Sequence, residues 1–167
     1  LSQKLARQRT QPAAAPVDPV IAGFRTSTVA SVSDAVDQIT GQRGFLAHDM
    51  RPYVAGAFVG RAATALVKPA PPDKATPALS VKHSVEMIDA ASPGEVGVIV
   101  MEGSLDVAAI GGLMGTAAKS RGMAGMALDG SVRDIAELRA LNLRSTPAAR
   151  HRRPRSAAMR ASASRFR

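Results

Sequence analysis

The chain has 167 residues, 46% of them apolar and 21% charged, with no cysteine, so one hydrophobic core is within reach while disulfides and thiolate metal sites are excluded. Its net charge of +9 suggests a nucleic-acid footprint, but Arg144 to Arg167 holds eight arginines and no acid, and the rest of the chain carries 14 basic against 13 acidic residues. With one tyrosine and four phenylalanines there is little surface for base stacking, which argues against nucleic-acid binding by the body of the chain.

His48, His83 and His151 are far apart and lack a zinc spacing. No apolar run approaches the ~20 residues needed to cross a bilayer, and Leu1-Ser2-Gln3-Lys4 does not open a signal-peptide core. The expectation is a cytoplasmic protein without a membrane partner.

Residues 1–22, rich in Ala, Pro, Gln and Arg, read as a flexible arm. Thr26, Ser27 and Thr28 then offer N-caps to a helix in which Val29, Val32, Ala35, Val36 and Ile39 share one face, stopped near Gly41. Met50 to Pro52 and Ala57 to Val67 read as extended segments ahead of the breaker Pro69-Ala70-Pro71-Pro72. From Leu79 to Ala91, Val81, Val85 and Ile88 follow helical spacing, and Ser92-Pro93-Gly94 ends it. Val96 to Met101 is a continuous apolar run that suits a strand covered on both faces.

Glu102 to Ile110 reads as a loop, Leu113 to Arg121 as a helix stopped by Gly122, and Met123 to Leu128 as another buried strand turned by Asp129-Gly130. Ile135, Leu138 and Leu141 mark a short amphipathic helix opening at Ser131, which with Asp134 forms a capping-box pattern. Met101, Met114, Met123 and Met126 read as core filler, and Asp34 and Asp37 as part of a solvated helix face. Alternation of strand and helix implies parallel pairing, and ligands of such sheets gather beyond the carboxyl ends of the strands.

Two such ends carry chemistry. Gly111 and Gly112 permit close approach of a ligand to the backbone, and the N–H groups of Leu113 and Met114 at a helix start favour a bound carboxylate. With 20 residues between them, Gly112 is followed by Arg133, whose fork of donors can clamp a carboxylate or stabilise a developing enolate. Asp134 and Glu137, at i and i+3, can both face one hard cation with water completing its shell. Each feature also has a purely structural reading: a tight loop at the glycines, a capping box at Asp134, and a surface ion pair at Glu137. Spacing alone leaves both readings open.

Gly111-Gly112-Leu113-Met114, Ala117-Ala118-Lys119, Arg121-Gly122, Gly125, Asp129-Gly130 and Arg133-Asp134 together resemble the RraA-like family, which includes the regulator of ribonuclease activity A and the 4-hydroxy-4-methyl-2-oxoglutarate aldolases. Ser27-Thr28-Val29, Ser33-Asp34-Ala35, Gly60-Arg61-Ala62 with Thr64, and Pro93-Gly94-Glu95-Val96 add to the resemblance, which spans roughly residues 24 to 143 and suggests a domain over 23–143. It implies an α/β fold, a swivelling β/β/α three-layer sandwich, assembled as a homotrimer or hexamer. It also implies a metal-dependent lyase that cleaves 4-hydroxy-4-methyl-2-oxoglutarate-like 2-oxo acids to pyruvate and decarboxylates oxaloacetate.

Carried onto this sequence, the resemblance makes Arg133 and Asp134 catalytic. Asp134 would ligate Mg²⁺ or Mn²⁺, Glu137 would reach it through water, Arg133 would hold the pyruvyl oxygens, and Gly111, Gly112, Leu113 and Met114 would bind the small 2-oxo acid. Family aldolases usually place an aspartate where Gly112 stands, whereas the ribonuclease regulators pair a glycine there with an acid at the position of Glu137. The alternative implied is a non-catalytic regulator that binds and inhibits a ribonuclease of the RNase E type; a general RNA binder acting through its arginine tail is the third possibility.

After Leu143 the family continues with Pro-Val-Phe/Tyr-Ala-Arg-Gly and closing strands, whereas this chain has Arg144-Ser145-Thr146-Pro147-Ala148-Ala149 and an arginine-rich run. A one-nucleotide offset in the possible codons of Leu143 to Ala149 permits Pro-Val-Tyr-Ala-Arg-Gly. Residues 144–167 therefore read as an Arg-rich tail produced by a frameshift, with the usual C-terminal strands lacking.

Overall fold

The computed structural model describes residues 18–46, 50–71, 73–74, 76–102 and 108–147. His48, His151, most of the expected N-terminal arm and the tail from 148 onward lie outside them.

Two short helices open the described chain. α1 (Pro19–Thr26) begins inside the segment read as an arm, because Asp18 accepts from the Val20 N–H and Pro19 occupies the first turn, where a missing N–H costs nothing. α2 (Val29–Thr40) starts at its N-cap Thr28, which accepts from the Ser31 N–H, and stops at Gly41 in the left-handed conformation, φ 66°. Neither helix buries a residue.

The body is built on a parallel sheet. β1 (Ala62–Val67), β2 (Val96–Met101), β4 (Gly125–Asp129) and β6 (Ser145–Pro147) lie in the order β1-β2-β4-β6. α3 (Pro77–Ala90) connects β1 to β2 and packs chiefly on β1. Between β2 and β4 run β3 (Ala108–Ile110) and α4 (Gly112–Ser120); between β4 and β6 run β5 (Ser131–Val132) and α5 (Ile135–Ala140). The register pairs Ala65 with Ile99 and Ile99 with Leu128, so the buried residues of adjacent strands stack in one row. Met87, Ile88, Ala118 and Leu138 close this core from the helices, and Met123 from the loop between α4 and β4. Among the methionines read as filler, Met101, Met123 and Met126 are buried in it, while Met114 packs at its border.

The structure departs from the sequence reading in four places. The loop expected over Glu102 to Ile110 ends in β3, which pairs in parallel with β5 to make a second, two-stranded sheet. Ser131 belongs to β5, and the last helix is capped at Asp134, so the capping box expected of Ser131 and Asp134 gives way to strand pairing. β2 is not covered on both faces by described residues: Ile99 is fully buried, while Val100, on the opposite side, is 36% exposed. Finally, Ser145–Pro147 pairs with Met126–Leu128, so the first residues of the segment read as a tail form an edge strand of the sheet.

Candidate functional site

The two short strands decide where the chemistry falls. β3 runs directly into Gly111 and α4, while β5 runs directly into Arg133, Asp134 and α5. Pairing of Ile110 with Val132, with the Arg133 N–H donating to the Ile110 carbonyl at 3.1 Å, sets the Gly-Gly turn beside the Arg-Asp pair. Residues 22 apart in sequence thereby share one sheet end.

Asp134 joins the two halves. Its Oδ2 accepts from the Gly112 N–H at 2.9 Å, supplying from across the chain the cap that Gly111, the N-cap of α4, has no side chain to provide. To do this Asp134 adopts the left-handed conformation, φ 57° and ψ 40°, which short polar side chains tolerate best and which costs on the order of 1 kcal/mol or more. The Arg133 Nε lies 3.7 Å from the same Oδ2, with the Arg133 side chain 75% exposed. A side chain at Gly111 would collide with this pair, since its Cβ would lie 2.6 Å from the Asp134 Oδ2 and 2.9 Å from the Arg133 Nε.

Glu137 and Gly112 are coupled even more tightly. A Cβ on Gly112 would sit 1.8 Å from the Glu137 Oε2, so the carboxylate of Glu137 occupies the space of any side chain at 112. One turn along α4, a Cβ on Gly115 would lie 2.3 Å from the Leu138 Cδ2. Gly112 and Gly115 thus present a bare strip to α5, and the buried Leu138 and exposed Glu137 fill it.

Of the first-turn donors of α4, the Gly112 N–H is taken by Asp134. The N–H groups of Leu113 and Met114 have no partner among the described residues, and the Leu113 side chain beside them is 87% exposed. The residues named from the sequence, Gly111, Gly112, Leu113, Met114, Arg133, Asp134 and Glu137, all lie on the two helix starts and the strand ends that feed them. The residues that sequence reasoning missed are those of β3 and β5 that hold these starts together. Their signal is faint: Ala108-Ala109-Ile110 is an apolar triplet, and Ser131-Val132 is too short for any periodicity.

Charge at this end sums to one guanidinium against two carboxylates. Among the described residues no three His, Cys, Asp or Glu side chains form a metal-ligating group, so a cation here would draw on the carboxylates of Asp134 and Glu137 with water filling the remaining positions. That donor set fits Mg²⁺, which keeps several waters and is commonly held by one or two carboxylates. Elsewhere, the described histidine His83 is exposed and pairs with Glu86 at 3.1 Å, an ordinary surface contact.

Comparison with known proteins identifies the family and the fold. A family model described as RraA-like, Aldolase/RraA, matches residues 29–163. A protein of Albidiferax ferrireducens named "Putative 4-hydroxy-4-methyl-2-oxoglutarate aldolase" is 44% identical over 69 residues, covering 38% of this chain and 40% of that protein. Among solved structures, an uncharacterized protein from Pseudomonas syringae superposes with a TM-score of 0.64 at 27% identity, over 80% of this chain and 58% of that one. Streptomyces coelicolor RraAS2, described as an unusual member of the RNase ES inhibitor RraA protein family, superposes with a TM-score of 0.60 at 21% identity, over 82% of this chain and 65% of that one. The chain therefore spans well under two thirds of the first two of these relatives.

Proposed function

Because the chain belongs to the RraA-like family, we propose that it is a divalent-metal-dependent lyase that releases pyruvate from small 2-oxo acids. The reading covers cleavage of 4-hydroxy-4-methyl-2-oxoglutarate-like substrates and decarboxylation of oxaloacetate. One observation carries it: a guanidinium, two unpartnered helix-start amides and two carboxylates converge where β3 and β5 end.

The N–H groups of Leu113 and Met114 receive the carboxylate next to the 2-oxo group, favoured by the N-terminal end of the α4 dipole. Arg133 directs its donors at the 2-oxo oxygen, where negative charge accumulates as the C–C bond breaks and the pyruvate enolate forms. The same charge develops whether an aldehyde, a ketone or carbon dioxide departs, which is why one site can serve both reactions. Asp134 and Glu137 would hold Mg²⁺ or Mn²⁺, which when bound supplies Lewis-acid polarisation of the 2-oxo group. With one cationic side chain against two carboxylates, the protein's own residues repel a dianion, so affinity for a dicarboxylic substrate depends on the cation. The Asp134 carboxylate further fixes Gly112, and through it the direction of the two open amides.

The assembly that goes with this reading is a homotrimer or hexamer in the cytoplasm. The deciding experiment is pyruvate release from oxaloacetate with Mg²⁺ and with chelator. Activity should require the metal, Arg133→Ala should lower kcat/KM by about 10²–10³, and Asp134→Ala should abolish the metal-dependent release. Metal-independent release, or release indifferent to both substitutions, would sink the proposal.

A second reading draws on Gly112 and Glu137, which carry the regulator-type pattern and here occupy one space. Under it the chain is a non-catalytic protein that binds a ribonuclease and restrains it. Binding to RNase E that survives Arg133→Ala and Asp134→Ala, in a chain releasing no pyruvate, would favour that reading.

A further inference from the structure

A cavity of about 550 Å³ lies between the two N-terminal helices and the extended segment 56–60. It opens at the amino ends of β1 and β2, where Gly60 comes just before β1 and Val96 begins β2. Arg133 and Asp134, by contrast, follow the carboxyl end of β4, at the other end of the sheet.

Backbone contacts fix both walls. The Gly44 N–H donates to the Asp37 carboxylate at 2.9 Å, and a Cβ on Gly44 would lie 2.6 Å from the Ser33 carbonyl oxygen, so the chain leaving α2 folds tightly back on that helix. On the other side, a Cβ on Gly60 would lie 2.1 Å from the Gly94 carbonyl oxygen, and the Arg144 side chain donates to the Ala57 carbonyl. These contacts hold segment 56–60 to the turn before β2 and to the residue before β6. Because α1 and α2 bury no side chain, Phe24 and Val32 line one unfilled space with Phe58, Val59 and Val96. A preformed, mostly apolar cleft of roughly 300–1,000 Å³ is the usual form of a small-molecule site.

The polar groups at the cavity select the ligand. The Ser27 hydroxyl already donates to the Gly23 carbonyl, at 3.0 Å. Arg25 also lines the cavity, exposed and without a hydrogen bond or ion pair among the described residues, and no described acid lines it. Arg61, at the same end of the sheet, is instead taken by Asp18 at 2.6 Å. A guanidinium beside an apolar wall draws an anion more strongly than one in open water, because the local dielectric is lower. An apolar body with one anionic end satisfies both features, whereas a second charge would be left against apolar walls. Phe24 and Arg25 precede residue 29, where the family match begins.

We propose that this cavity binds a free acyl carboxylate of medium chain length, its hydrocarbon among Phe24, Val32, Phe58 and Val96 and its carboxylate on Arg25. The site is separate from the one proposed for pyruvate release, and the inference does not rest on that reading.

The test is an NMR titration of the full chain with octanoate, read at the amides of Val32 and Val96, which should both shift saturably. Hexanoate, two methylenes shorter, should bind about tenfold more weakly, and oxaloacetate should displace neither. Arg25→Gln should weaken octanoate at least about fivefold while leaving octanol unchanged. Val32→Trp, which fills the space, should abolish binding of both with the Ile99 amide unmoved. Absence of a saturable shift, equal affinity for octanoate and octylammonium, or an Arg25→Gln loss shared by octanol would overturn the proposal, as would displacement by oxaloacetate. Octanoate binding that weakens as protein concentration rises would put a second copy in the cavity, and would overturn it as well.

Discussion

The N-terminal helices and the sheet body solve the same problem with opposite means. α1 and α2 have well-formed ends: Asp18 and Thr28 cap them, Pro19 starts one and Gly41 stops the other. Yet neither buries a side chain, and Ile39 is 82% exposed. α5 is only six residues long and its N-cap side chain makes no bond to its own helix, but Leu138 is fully buried against α4. Helix ends are written locally, whereas a seat for the helix depends on residues brought from elsewhere.

The largest effect that can test this contrast is in the core. Leu128→Ala, at a fully buried position flanked by Ile99 on β2 and Pro147 on β6, should destabilise by about 2–5 kcal/mol in urea denaturation. Next comes the α4–α5 contact. Gly112→Asp should cost on the order of 1–3 kcal/mol through overpacking against Glu137, and adding Glu137→Ala should recover most of it. Additive losses in that double-mutant cycle would mean that the two positions are not competing for one space.

Ile39→Ala should change stability by no more than ~0.5 kcal/mol if α2 stands alone. A loss above that, growing with protein concentration, would show that assembly provides the seat that the single chain lacks. The smallest effect is electrostatic. The Val20 N–H foremost, then the Arg61 side chain, hold the Asp18 carboxyl below its ordinary value. A depressed folded-state pKa contributes stability above the unfolded value and loses it as pH falls through the folded one. Helix α1 should therefore fray only below about pH 4, read by the chemical shifts of Val20 and Ile21, and Asp18→Asn should keep the cap while removing the carboxylate charge that faces Arg61.

Much of the architecture was legible in the amino acids. Thr28 and Gly41 bounded α2, Gly122 closed α4, and the apolar runs marked β2 and β4, because capping chemistry and burial of whole runs act over a few residues. The adjacency of Gly112 and Arg133 followed from strand and helix order, before either connecting strand was visible. What escaped were elements whose cause is distant. β3 and β5 exist because they pair with each other, and their five residues carry no period of their own. α1 did have local signals, Asp18 before Pro19, but they lay in a proline- and alanine-rich stretch whose composition outweighed them. The exposure of Val100 could not be read from an apolar run, since a run reports how many faces a strand could hide and not how many neighbours are there to hide them.

Under the proposed reading, the crossed cap at Asp134 would make helix order and ligand occupancy interdependent. One carboxylate oxygen both steadies the opening turn of α4 and stands nearest the guanidinium of Arg133. Any cation or substrate that draws this oxygen away leaves the Gly112 amide bare, adding a third donor to the two already free. On that reading the attraction of this helix start for anions would rise at the moment a cation arrives, so that filling one half prepares the other.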